Sequence, residues 1–340
     1  MHPAIHLRAA FFFFCIFSFT AGAFSQESPA RATDIRVTVD RVNVGVVVTD
    51  SRGQFVPGLQ RSDFHLFDDG AEQPITDFLS IEEPAQVLLL VEAGPAVYFL
   101  QSGHLQAVQE LLDGLAPSDR VALARYDEHA ERILDFIPDK RVAAGMLDQL
   151  RFNLGFGQLN LASSVLTALD WLAHVPGKKS LVLLSTGVDT SPPDAVQKLL
   201  LRLKTTDVRV LPISLSGDMR DAGSPSKKSQ KKNQPPDPKV QATAEGLARA
   251  DQELTAIAEA NGSRAFFPRT NKEFAEVFAE ISQVIRHEYS LGFSPPTHDG
   301  KIHNIDVTVA GSSGAAESVV ANAASRVDHR RAYVAPSGQD

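Results

Sequence analysis

Glu92 is the residue of this chain best placed to do chemistry. It ends an apolar run, Val87 to Val91, and a Gly94-Pro95 pair turns the chain directly after it. A continuous apolar run of this length reads as a strand buried on both faces, as in parallel sheets. The amphipathic stretch from Tyr98 to Leu115 then reads as a helix. Strand, tight turn and helix put Glu92, Gly94 and Ala96 at the carboxyl end of a sheet strand, where open α/β folds bind ligands. A carboxylate there is either an oxygen ligand for a hard cation or an ordinary polar strand-end contact.

Other residues with chemical potential sit in weaker settings. Gly155-Phe156-Gly157 resembles a fragment of a phosphate loop, but has no third glycine, no following Lys-Ser/Thr and no preceding strand, so it reads as a turn. His104, His129 and His174 lie on or beside predicted helices without an i, i+4 partner and read as surface or boundary histidines. Neither Gly-x-Ser-x-Gly nor His-Glu-x-x-His occurs. Trp171, with Leu169 and Leu172, reads as helix core. Asn261-Gly262-Ser263 matches a glycosylation acceptor, but stands where a helix ends and needs a glycine.

The elements that would position these residues fall into two patterns. Residues 35–84 carry short β-branched runs broken by Asp and Gly turns, such as Asp50 to Gly53 and Asp68-Asp69-Gly70, and suggest the strands of a small β-sandwich. From residue 85 to 287 strands and helices alternate. Strands are expected at 87–92, 120–126, 131–136, 180–185, 207–214 and 264–267. Helices are expected at 98–115, 141–150, 160–174, 193–204, 248–260 and 271–287. Alternation of this kind implies a doubly wound, mainly parallel sheet, with 120–126 and 131–136 as its one hairpin. Thr270 and Glu273 predict a capping box. Residues 217–240, with Lys227-Lys228, Lys231-Lys232, Pro235-Pro236 and Pro238, are too poor in apolar residues to offset ordering entropy and read as a disordered insertion. Residues 288–336 return to strand character, including 318–320. They are expected to pair with the N-terminal strands, packing Val44, Val46, Val48 and Phe64 against Leu291, Phe293, Ile305, Val307 and Val309.

Three motifs, taken in order, resemble the exported von Willebrand factor A-related proteins known chiefly from acidobacteria. They are Thr49 to Gly70 (TDSRGQFVPGLQRSDFHLFDDG), Tyr289 to Pro295 with Asp299-Gly300-Lys301-Ile302-His303, and the closing Arg330-Arg331-Ala332-Tyr333. The resemblance implies a von Willebrand factor A-like domain inserted in a β-sandwich built from both chain ends. Family members that bind a divalent cation do so through Asp-x-Ser-x-Ser, a threonine before the third main helix and an aspartate after the fourth strand. In this chain those positions match Glu92, Gly94 and Ala96, then Leu159 beside Asn160, then Thr186. The expected face therefore comprises Glu92, Gly94, Ala96, Leu159, Asn160, Thr186 and Asp189, with no metal and no cofactor. The alternative is a residual cation site on Glu92, Ser185, Thr186 and Asp189.

Composition narrows the function. Arg8, the apolar stretch Ala9 to Thr20 and Ala21-Gly22-Ala23 have the pattern of a secretory signal peptide over residues 1–25, too short to span a bilayer comfortably. No cysteine follows Cys15, which excludes disulfide, thiolate and cysteine-metal chemistry beyond it. A net charge of −8 argues against sequence-independent nucleic-acid binding. The expectation is an exported module, periplasmic, cell-surface or secreted, that is non-enzymatic and binds a protein or cell-envelope component; the alternatives are a metal-dependent adhesion module on the residual site and an enzyme of unrecognised type.

Overall fold

A computed structural model describes residues 41–81, 83–94, 101–147, 150, 157–217, 238–309 and 326–337. Residues 1–40, Ala96, Gly155 and Phe156, most of the expected insertion (218–237) and the expected strand at 318–320 lie outside the described residues. The central sheet holds five strands: β5 (Ala85–Glu92), β6 (Arg120–Tyr126), β7 (Ala130–Ile137), β8 (Lys178–Ser185) and β9 (Arg209–Ser214), in the order β7-β6-β5-β8-β9. Only the β6–β7 pair is antiparallel. The sheet is flanked by α1 (Gln101–Gly114), α2 (Lys140–Leu147), α3 (Leu161–Ala173), α4 (Pro193–Thr205), α5 (Pro238–Asn261) and α6 (Asn271–Arg286).

The continuous apolar run of β5 follows from this layering. Val87, Leu89 and Val91 enter one core with residues of α1, α2 and α6, while Leu88 and Leu90 enter the other with α3, α4 and α5. Each such side chain contributes about 1.5–3 kcal/mol on burial. Trp171 is a partly buried member of the second core, and the Arg132 guanidinium stacks on it at 4.9 Å.

Two four-stranded antiparallel sheets mix both ends of the chain. In one, β1 (Val42–Thr49) lies between β10 (Glu288–Phe293) and β12 (Arg326–His329), with β4 (Asp77–Ile81) beyond β10. In the other, β2 (Phe64–Asp68) lies between β3 (Ala71–Gln73) and β11 (Ile302–Val309), which also pairs with β13 (Ala332–Val334). Val44, Val46, Val48 and Phe64 share a core with Leu291, Phe293, Ile305 and Val307, and Val309 packs at its border. The opposite face of β1 sends Val47 into the α/β core.

Several expectations are corrected. The strand expected at 264–267 reduces to a single bridge, Ile213 to Phe266, because Pro268 follows with no N–H to continue the ladder. Helix α5 starts at Pro238, ten residues before the expected 248, so residues 238–240 are helical and not part of an insertion. Its Ala-rich first turns favour helix without an apolar stripe, and proline suits a helix start. The Thr270 hydroxyl does accept from Glu273 N, but the Glu273 carboxylate accepts from Arg269 N in place of the capping residue's own N–H. No helix among the described residues is long and apolar enough to cross a membrane.

Candidate functional site

Three loops meet at the carboxyl ends of the sheet strands: the turn after β5, the segment before α3 and the segment after β8. Register places Glu92 of β5 beside Tyr126 of β6. Both are fully buried, as are Ser185 and Thr186 at the end of β8. The Glu92 carboxyl is encircled by neutral donors. Its Oε2 accepts from Thr186 N at 2.7 Å and from Ser185 Oγ at 3.1 Å, and lies 3.2 Å from the Tyr126 hydroxyl. Thr186 Oγ1 lies 2.9 Å from both carboxyl oxygens. Tyr126 also donates to Ser185 Oγ at 2.7 Å, and Gly187 N donates to the same hydroxyl.

Burial raises the Glu92 pKa above the ordinary value, with donors from Thr186, Ser185 and Tyr126 opposing it. Burial, and then the neighbouring Glu92, push Tyr126 well above the ordinary tyrosine value, so it acts as a neutral hydroxyl donor. The arrangement seats one acid in a closed hydrogen-bond cage.

The remaining expected residues serve the loops themselves. Asp189 faces the start of α3: its Oδ1 accepts from Leu161 N at 3.0 Å and from Ser191 N at 2.8 Å, and its Oδ2 from Ala162 N at 3.2 Å. It thereby satisfies N–H groups that a helix start leaves without partners. Leu159 N donates to Thr190 Oγ1, and Thr190 N donates back to Leu159 O at 2.7 Å. Asn160 bridges to the loop after β6, its N to Asp127 O and its Nδ2 to Glu128 O. The Leu159 side chain lies over Gly94, where an added Cβ would sit 2.8 Å from Leu159 Cδ2. The structure therefore joins Glu92 with Ser185 and Thr186, and Gly94 with Leu159, and turns Asp189 away toward α3.

A hard divalent cation needs several free oxygens converging on one point. Here the Glu92 oxygens are taken by neutral donors, the Asp189 oxygens by backbone N–H groups, and the space over Gly94 by a leucine. The residues present do not fit such an ion. Sequence reasoning missed Tyr126, whose signal was its place at the end of the neighbouring strand, level with Glu92. Asn261, the glycosylation-like asparagine, is buried: Oδ1 accepts from Val210 N and Nδ2 donates to Leu203 O and Val208 O.

A five-stranded, mainly parallel sheet with helices on both faces and loops gathered at its carboxyl end is a doubly wound α/β fold, the architecture that the resemblance in sequence leads one to expect. No protein-family model matches the sequence, and no curated protein matches it. Among solved structures, the chain is similar to an aerotolerance-related membrane protein from Bacteroides fragilis, at 12% identity over 59% of this chain and 100% of that one, TM-score 0.43. It is similar to the conserved hypothetical protein BatB from Bacteroides thetaiotaomicron, at 14% identity over 59% and 98%, TM-score 0.41. A von Willebrand factor type A protein from Catenulispora acidiphila aligns at 11% identity over 90% of this chain and 76% of that one, TM-score 0.43. Likenesses this loose say nothing of what the chain binds.

Proposed function

We propose that the chain is an exported, non-catalytic binding module whose A-like domain takes a protein or cell-envelope component on its carboxyl-end face without a metal ion. The observation that carries this reading is the cross-bonded loop cluster around Leu159, Asn160, Asp189 and Thr190. Its polar groups are spent on holding the loops together. Among the described residues, it offers Gly157, Gln158, Thr190 and Val188 to solvent, the last 43% exposed, with Glu128 exposed beside them. A rigid surface loses little freedom on association, which favours binding. Glu92 and Tyr126, the acid and hydroxyl with perturbed pKa values, are sealed from any substrate by their burial. The signal-like pattern of residues 1–25 supports export.

The test is capture from a cell-envelope extract by the immobilised chain, with and without EDTA, beside a Val188→Asp variant. Capture should survive EDTA and fall in the variant, because an unpaired carboxylate in a desolvated contact is costly. Capture abolished by EDTA, or unchanged in Val188→Asp, would overturn the reading of this face.

A further inference from the structure

The three motifs that carry the family resemblance lie far apart in sequence, yet they meet at one edge of the sandwich. Asp68 ends β2, and Asp69-Gly70 forms the two-residue turn into β3. Asp69 has φ 45° and Gly70 φ 82°, the positive values such hairpins require. Strand β11 pairs with β2, with Ile305 level with Asp68, which brings His303 alongside the turn. Tyr333 arrives on β13, paired with His303.

We propose that Asp68, Asp69 and His303 form a binding site for a divalent transition-metal ion. One atom from each, Asp68 Oδ1, Asp69 Oδ2 and His303 Nδ1, lies within 4.8 Å of the others. Nδ1 is 2.9 Å from Asp69 Oδ2 and 3.3 Å from Asp68 Oδ1. Ligands bound at about 2.0–2.2 Å stand roughly 3 Å apart around one ion, so little movement is needed.

The outer atom of every one of these side chains is already fixed. Tyr333 donates to Asp68 Oδ2 at 2.9 Å. Asn304 donates both its N and its Nδ2 to Asp69 Oδ1 at 3.0 Å. His303 Nε2 lies 3.2 Å from Asp299 Oδ1 and 3.2 Å from Thr297 Oγ1. A carboxylate behind the far ring nitrogen is the partner that orients a metal-bound histidine.

A separate observation points to a ligand. The Asp68 side chain is 1% exposed, and its Oδ1 has no hydrogen-bond partner. The single proton that Nδ1 can carry goes to the nearer Asp69 oxygen and leaves this one bare. A buried, unsatisfied carboxylate oxygen is costly and calls for an explanation. Three carboxylates surround the His303 ring, with Asp69 at 2.9 Å, Asp299 at 3.2 Å and Asp68 at 3.3 Å. The cluster thus attracts positive charge. A proton on Nδ1 serves one oxygen, whereas a divalent ion serves both. Imidazole with two carboxylates suits Zn²⁺ or Mn²⁺ better than Mg²⁺. Asp69 is half exposed, leaving a side open for water ligands.

The experiment is calorimetric titration of the full chain, stripped with EDTA and dialysed, with Zn²⁺, Mn²⁺ and Mg²⁺. Wild type should bind one Zn²⁺ or Mn²⁺ per chain more tightly than Mg²⁺. Asp68→Asn and His303→Gln should abolish that event, and Asp299→Asn should weaken it roughly 10- to 100-fold. Asp69→Asn, at a more exposed position, serves if Asp68→Asn fails to fold, and should also remove it. Absence of a one-to-one event would overturn the proposal. So would Zn²⁺ binding unchanged in Asp69→Asn, or an Nδ1 proton still visible by NMR at saturating Zn²⁺.

Discussion

Replacing Glu92 separates the two things its carboxyl supplies, acceptor atoms and titratable charge. In Glu92→Ala, Thr186 N–H and the hydroxyls of Thr186 and Ser185 lose their acceptor inside a fully buried pocket. An orphaned buried donor costs about 1–3 kcal/mol. The hydroxyls can turn toward Tyr126 or each other, but the backbone N–H cannot. With that donor orphaned and a cavity left by the removed side chain, a loss of roughly 2–5 kcal/mol follows, about 4–20 °C in melting temperature at about 2–4 °C per kcal/mol. Glu92→Gln keeps an acceptor for Thr186 N–H and presents its NH₂ to Thr186 Oγ1, so the loss should stay below about 1 kcal/mol. The two forms should diverge with pH. Burial raises the folded pKa of Glu92 above its unfolded value, so its protonation contributes stability that is full below the unfolded value, near 4.5, and lost as pH rises through the folded one. Wild type should therefore gain on Glu92→Gln as pH falls from 8 toward 4.5. The assay is urea unfolding of wild type and both variants at several pH values, with EDTA or about 5 mM Mg²⁺, which would add about 1 kcal/mol for a site with a Kd of about 1 mM. A wild-type-to-Gln difference flat with pH would refute the raised pKa. Mg²⁺ stabilising wild type but not Glu92→Gln would show that the carboxylate holds a cation.

Two further outcomes follow from packing. Gly94→Ser puts a side chain against Leu159 and should cost about 1–3 kcal/mol, which a simultaneous Leu159→Thr should largely relieve; unfolding of the two single variants and the double would measure the coupling, and additive losses would show that the residues do not share the space. Removing residues 288–340 strips β10 and β11 from β1 and β2 and uncovers Val44, Val46 and Leu66, so light scattering should report aggregation; a soluble, cooperatively folding truncated monomer would show that the ends do not depend on one core.

The sheet was legible because its signals are local. The run from Val87 to Val91 has to be buried on both faces, and the structure divides its residues between two cores. The pairing of the chain ends was legible from apolar faces that neither group could bury alone. Helix α5 escaped because an Ala-rich start has propensity but no stripe. β12 and β13 escaped because Arg326–His329 and Ala332–Val334 are short and carry little apolar alternation. At the site, sequence reading treated Gly94 and Leu159 as two separate departures from a cation-binding pattern. In space they complement each other, the missing side chain at one making room for the leucine at the other. Tyr126 closes the Glu92 cage through strand register, which no linear motif encodes.

Comparing the two carboxylate clusters shows why acidic residues alone do not define a cation site. Glu92 stands among neutral donors, with a backbone N–H and two hydroxyls fixed on its oxygens, and deep burial favours its protonated form. Its demand for positive charge is met by hydrogen-bond protons, and an ion would have to break those bonds to enter. Asp68 is as deeply buried, but only one of its oxygens is held, by Tyr333; the other faces Asp69 and His303. The sequence separation also differs in effect. Glu92, Ser185 and Thr186 are brought together by adjacent parallel strands whose ends coincide in any such sheet. Asp68 and His303 meet only because β11, from the far end of the chain, pairs with β2. A sandwich closed from both ends thus creates a junction that neither end contains, and that junction is where its unsatisfied charge collects.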